Sequence, residues 1–155
     1  LFSMKKKSLI IVIIFFFLQN CGYTPIFSDN KEKKFTLNVI EIEGDDEMNN
    51  ILSTSLKRYS NKSSEKIYNL KISTDYKKNT LSKNKKGEIT NYLIVSKITF
   101  EILNNKNNKT YNFEEETKTA NITNQFELKK YEKSIKTNFI NLKIEELILS
   151  LSDLE

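Results

Sequence analysis

Histidine and tryptophan are absent from this chain of 155 residues, and cysteine, proline and glycine are scarce. Without histidine the chain lacks the commonest general base and metal ligand, so a Ser-His-Asp triad or a Cys-His pair is excluded. The single cysteine, Cys21, excludes an intrachain disulfide and a multi-cysteine metal site. These absences argue against an enzyme, and they predict no catalytic residues, no metal and no dissociable cofactor.

The first twenty residues predict a signal peptide. We expect the true start at Met4, which is followed directly by three lysines, Lys5–Lys7. The apolar run Leu9–Leu18 would cover roughly 15 Å as a helix, about half of a hydrocarbon core, which is too short to span a membrane. Removing residues 1–20 takes away three lysines and no acid, so the formal net charge falls from +5 to +2. A nearly balanced exported domain argues against a nucleic-acid partner.

Cys21 directly follows this segment and is the predicted lipidation site. Leu18 fits position −3 of a bacterial lipobox, whereas Gln19 and Asn20 are larger than the residues usual there. We expect a diacylglyceryl group on the thiol and an acyl chain, such as palmitate, on the amine after cleavage. Several chains at about 0.8 kcal/mol per buried CH₂ make a stable anchor. The alternatives are a secreted protein or an uncleaved signal anchor, and Gly22 in place of aspartate favours the outer membrane.

Residues 21–34 are predicted to form the lipidated N-terminus and a tether, and residues 35–155 one α+β domain. Hydrophobic periodicity divides this domain into six elements. They are a strand at 35–43, a helix capped by Asp45 or Asp46 and reaching Tyr59, a strand at 68–76, a central strand at 89–103, an edge strand at 110–123 and a helix from Gln125. A four-stranded mixed sheet with two helices packed on one face (β-α-β-β-β-α) would bury all of the apolar stripes.

The C-terminal helix is predicted to bury one broad stripe and to expose its lysines. The stripe is Leu128, Tyr131, Ile135, Phe139, Leu142 and Leu149, widened by Ile140, Ile144, Leu147, Ile148 and Leu151. Most of the helix lysines, at positions 129, 130, 133, 136 and 143, are expected to face water.

Two clusters of charged residues stand out in the sequence. Glu114–Glu116 cannot act as paired carboxylates, because neighbours on a strand point to opposite faces, and a solvated edge strand is the simpler interpretation. A lysine-rich turn is predicted at 77–87, and its ammonium groups could bind the phosphates of a lipid head group. The alternative is a solvated turn. The candidate residues are Lys77, Lys78, Lys83, Lys85 and Lys86.

Two segments resemble a known family. "CGYTPIF" at Cys21–Phe27 resembles the "CGF-x-PLY" start of mature LPS-assembly lipoproteins, the LptE family, most closely its alphaproteobacterial branch. "GEITNYLIVSKITFEIL" at Gly87–Leu103 resembles the long strand of that family. The order of elements and the C-terminal amphipathic helix are also similar to it, so the resemblance covers essentially the whole mature chain.

The resemblance implies a non-enzymatic outer-membrane lipoprotein on the periplasmic side, anchored in the inner leaflet of that membrane. Its implied partners are the LptD β-barrel, which it would plug and help to assemble, and lipopolysaccharide, which it would help deliver to the outer leaflet. An alternative is a periplasmic lipid-binding or envelope-structural lipoprotein without a barrel partner. An exported hydrolase is a third hypothesis, which the absent histidine disfavours.

Overall fold

The computed structural model describes residues 35–60, 66–103 and 108–152. The predicted signal peptide, Cys21 and the tether lie outside these residues. The elements are β1 (Phe35–Glu43), α1 (Asp46–Leu56) followed by a 3-10 turn (Lys57–Tyr59), β2 (Lys66–Lys83), β3 (Ile89–Leu103), β4 (Lys109–Ala120) and α2 (Gln125–Ser152). None of the described helices combines the length and the apolar character that a membrane crossing requires.

The four strands form one mixed sheet in the order β1-β2-β3-β4. β1 runs parallel to β2, and the other two pairs are antiparallel hairpins. α1 provides the crossover between the parallel strands, which could not be joined by a tight turn. Both helices pack into the same core on one face of the sheet. The predicted α+β fold is therefore confirmed.

Alternation along the strands determines which side chains reach that core. On β2 and β3 the even-numbered residues face the helices, and Ile72 lies opposite Phe100 in the register. Both are almost fully buried. The helices contribute apolar residues at helical spacing to the same cluster. Its fully enclosed members include Leu37, Met48, Leu52, Leu70, Ile98, Phe139, Ile140, Ile144 and Leu147.

A close backbone contact sets the start of α1. Gly44 has φ +107°, and a Cβ there would collide with the main-chain carbonyl of Thr74 on β2. Asp45 caps α1, because its Oδ1 accepts the N–H of Met48 at 2.9 Å. Its own N–H donates to Thr74 Oγ1 at 2.9 Å. Of the two predicted caps, the structure uses Asp45.

β2 is longer than its sequence pattern predicts. The sequence predicts a lysine-rich turn over 77–87, but β2 continues to Lys83 and pairs with β3. Lys77 lies opposite Val95 and Lys78 opposite Ile94. The long apolar β3 offers main-chain partners along this stretch, so pairing outweighs the weak strand preference of lysine and asparagine. β4 differs less, since it begins at Lys109 and ends at Ala120.

The buried face of α2 also differs from the prediction. Leu142 and Leu149 are 52% and 66% exposed, whereas Lys136 is buried. Leu142 and Leu149 each lie two positions after a fully buried residue, Ile140 and Leu147, and residues two apart in an α-helix are separated by about 200° around the axis. Leu142 and Leu149 therefore point away from the core face. The residues expected only to widen the stripe, such as Ile140 and Ile144, form its centre.

Candidate functional site

The tip of the β2–β3 hairpin is a tight turn organised by Asn84. Asn84 Oδ1 accepts the N–H groups of Lys86 (2.9 Å) and Glu88 (3.0 Å), and its Nδ2 donates to Glu88 Oε2 at 2.7 Å. The N–H of Gly87 donates to the carbonyl of Asn84 at 3.0 Å. Gly87 has φ +82°, a conformation that glycine adopts without strain. These contacts hold the tip in one defined conformation.

Three of the five candidate lysines are grouped at this tip. Lys83 ends β2, and Lys85 and Lys86 lie in the turn. All three are exposed, and none contacts an acidic side chain within the described part of the chain. Grouped cations without counter-ions attract phosphate, and the organised turn reduces the conformational freedom that binding would have to restrict.

The other two candidates lie on the strand, not at the turn. Lys77 points to the open face of the sheet and pairs with Asp75 at 2.6 Å. Lys78 points to the helix face, where its Nζ lies 2.8 Å from Glu132 Oε1 and 4.4 Å from the centre of the Tyr92 ring. The expectation of one five-lysine turn is therefore wrong, because alternation along β2 sends these two side chains to opposite faces.

The start of α2 lies at the same end of the sheet as the hairpin tip. Asn121 donates its main-chain N–H to the carbonyl of Thr90 at 2.8 Å. Asn124 then caps α2 by accepting the N–H of Phe126 at 2.9 Å. The first turns of the helix expose Lys129 and Lys130 together with Phe126, which is 72% exposed. The sequence predicts these lysines only as solvent-facing residues of the helix, and no local pattern relates them to the hairpin.

A second polar cluster lies between α1, α2 and β2. Lys136 Nζ contacts Asp45 Oδ1 at 3.0 Å, Asp45 Oδ2 at 3.2 Å and Glu47 Oε2 at 3.0 Å. It also lies 4.0 Å from the centre of the Tyr76 ring. The Lys136 side chain is only 6% exposed, so its charge is stabilised mainly by these groups. The cluster therefore joins the cap of α1 to the middle of α2.

Two hydroxyl groups near this cluster are buried without a hydrogen-bond partner among the described residues. They belong to Tyr76 and Ser96, which lie opposite each other on β2 and β3. Burial, followed by the charge of Glu132 and then of Asp45 and Glu47, holds the pKa of Tyr76 well above its usual range. Tyr76 is therefore neutral at physiological pH, and the cluster has the character of a structural link between elements.

No protein-family model matches this sequence. No curated protein matches it either. Among solved structures, the fold is similar to the crystal structure of rare lipoprotein B from Shewanella oneidensis, with a TM-score of 0.55 and 12% sequence identity. The match covers 77% of this chain and 97% of that chain. The two proteins share a fold.

Proposed function

We propose that this protein is an outer-membrane lipoprotein of the lipopolysaccharide export translocon. It would act as plug and assembly partner of the LptD β-barrel and aid the insertion of lipopolysaccharide into the outer leaflet. The observation that carries the proposal is the coincidence of two features. The domain shares its fold with a lipoprotein, and Cys21 lies three positions after the end of an apolar segment that is too short to span a membrane. The LptE resemblance at Cys21–Phe27 adds support.

The surface of the sheet suits a place inside a water-filled barrel. The face away from the helices carries ion pairs between neighbouring side chains, at 2.6 to 3.0 Å. They are Lys71–Glu41, Lys77–Asp75 and Lys97–Glu114. Charges neutralised in this way can lie against a polar lumen wall without opposite charges on the wall. A lipid anchor would raise the local concentration of the domain beside the barrel. The role requires neither catalysis nor a cofactor.

Co-purification tests the barrel partnership. The full chain, extracted from outer membranes in mild detergent, is expected to retain LptD. The Cys21→Ala variant, which cannot be lipidated at the thiol, is expected to lose the added mass of the lipid and to recover less LptD. Intact lipidation without LptD would instead support the barrel-independent lipoprotein.

For lipopolysaccharide we propose that the hairpin tip supplies the contacts, through Lys83, Lys85 and Lys86. Lys85→Glu together with Lys86→Glu is expected to weaken lipopolysaccharide binding about tenfold or more, at roughly 1 kcal/mol per lysine near an anionic surface. The melting temperature should hardly change, because both side chains are exposed.

Lys57→Glu with Lys109→Glu is the matched control for this experiment. It makes the same change in charge at exposed lysines away from the hairpin tip. Equal loss of binding in both double variants would show that only net charge matters. Unchanged binding in the hairpin variant would make the tip an ordinary solvated turn.

A further inference from the structure

The two edges of the sheet are built differently. β1 has nine residues, and its pairing with β2 is interrupted by a register shift between Val39 and Glu41. β4 has twelve residues and follows β3 without a shift, from Ala120 opposite Asn91 to Lys109 opposite Ile102. No strand among the described residues pairs with the outer side of β4. This side presents the main-chain N–H and C=O groups of every second residue in a regular row.

Three consecutive glutamates occupy the middle of this row. Glu114, Glu115 and Glu116 are all exposed. Glu114 lies on the open face and pairs with Lys97 at 3.0 Å. Glu115 points to the helix side, and neither it nor Glu116 has a basic partner within the described ranges. An added strand would therefore meet an uncompensated carboxylate on each face of the sheet.

These charges select among strands that could pair with β4. When two copies of β4 pair antiparallel about their centres, the glutamates of one copy face those of the other, and like charges directly opposite are destabilising. A strand with lysine or arginine at those positions would instead form cross-strand ion pairs. The edge thus resists pairing with itself but remains open to a basic strand.

We propose that the β4 edge binds an extended, lysine- or arginine-bearing segment of a partner protein by strand addition. Main-chain hydrogen bonds to β4 would provide affinity, and the Glu114–Glu116 carboxylates would provide selectivity. The site lies on β4 and does not involve the lysines at the hairpin tip. It therefore does not depend on lipopolysaccharide binding or on the identity of the barrel partner.

Peptide binding to the full chain in detergent micelles tests this proposal. The probe is a capped threonine-rich peptide of about ten residues, near the upper end of usual strand lengths, with adjacent lysines at its centre so that each face of the added strand carries a lysine. Its two controls are the threonine–glutamate counterpart and a lysine peptide that is N-methylated at consecutive central amides. The lysine peptide is expected to bind best and to slow amide hydrogen exchange in β4 but not in β1.

Charge reversal provides the second arm of the test. Glu115→Lys with Glu116→Lys is expected to weaken binding of the lysine peptide about tenfold, through two lost attractions and two new repulsions. The same variant should improve binding of the glutamate peptide. Glu127→Lys, an exposed acid in the first turn of α2, is the control and should leave both affinities nearly unchanged.

Two results would overturn the proposal. Equal binding of the N-methylated peptide would show that attraction is purely electrostatic and that no strand is added. If amide hydrogen exchange in β4 is not slowed at saturating lysine peptide, no strand pairs with β4, and the glutamates serve only to prevent strands from pairing with this edge.

Discussion

Replacing Lys136 by methionine should destabilise the domain more than any other single lysine change on α2. The substitution keeps an unbranched apolar stem but removes the ammonium group from contact with Asp45 and Glu47. Asp45 also caps α1, so the change leaves two carboxylates close together at the start of that helix. The cost therefore combines lost hydrogen bonds with a new repulsion.

The magnitude follows from the exposure of the three groups. Removing one partner of a fully buried ion pair costs about 3–5 kcal/mol. Here Lys136 is 6% exposed, but the side chains of Asp45 and Glu47 are 25% and 45% exposed and can regain water. We therefore expect a loss of about 2–3 kcal/mol in the free energy of unfolding. For a domain of this size that corresponds to a fall of roughly 8 °C in Tm.

The assay is thermal unfolding followed by far-UV circular dichroism, with Lys133→Met as the matched control. Lys133 lies on the same helix but is exposed, so its replacement should cost less than about 0.5 kcal/mol. In a background with Asp45→Asn and Glu47→Gln, where asparagine can still cap α1, Lys136→Met should cost much less. Equal losses for the two lysine variants, or the same loss in the neutralised background, would show that the contacts of Lys136 with Asp45 and Glu47 do not stabilise the domain.

Three further predictions concern the same region and the hairpin. Gly44→Ala should lower the free energy of unfolding by about 3 kcal/mol or more, because the added Cβ would collide with the main chain of β2. Gly87→Ala, at a position with open space around it, should lower it by only about 1 kcal/mol. Tyr76→Phe removes a buried hydroxyl that has no hydrogen-bond partner in the described part of the chain, and it should raise stability by about 1 kcal/mol. Folding raises the pKa of Tyr76, so the folded state disfavours the ionised phenol. The free energy of unfolding is therefore not reduced by this ionisation below about pH 10, and it falls as pH rises further. Tyr76→Phe should flatten that alkaline fall. Lys78→Met should lower the free energy of unfolding by about 1–2 kcal/mol, and adding Glu132→Gln should recover part of that loss. If no stability is recovered in the double variant, the two side chains are not energetically coupled.

Elements with a strong local period could be predicted from the sequence. β3 has the predicted bounds, Ile89–Leu103, because its alternation is nearly complete and a turn glycine precedes it. α2 begins at Gln125 as predicted. β1 likewise has its predicted bounds, and Gly44 ends it. In each case the residues that indicate where the element begins or ends lie within a few positions of that boundary.

Pairing partners could not be predicted in the same way. The second half of β2 has the composition of a turn, and it is a strand because β3 lies beside it with matching main-chain groups. This pairing divides the candidate lysines, leaving Lys85 and Lys86 at the tip while Lys78 contacts Glu132 on α2. The hairpin tip also lies close to the start of α2 because of a tertiary contact, the hydrogen bond from the Asn121 N–H to the Thr90 carbonyl.

Three features can be read directly from the order of residues. They are the short apolar segment ahead of Cys21, the lack of histidine for acid–base chemistry, and the apolar alternation that predicts one mixed sheet. Which stripe of α2 is buried, and which carboxylates contact Lys136, depends on how the helices and the sheet pack together. Asp45 is 91 positions away from Lys136, and no periodicity relates two residues so far apart. Local periods reflect the geometry of one element, whereas the burial of a charge depends on every element packed around it.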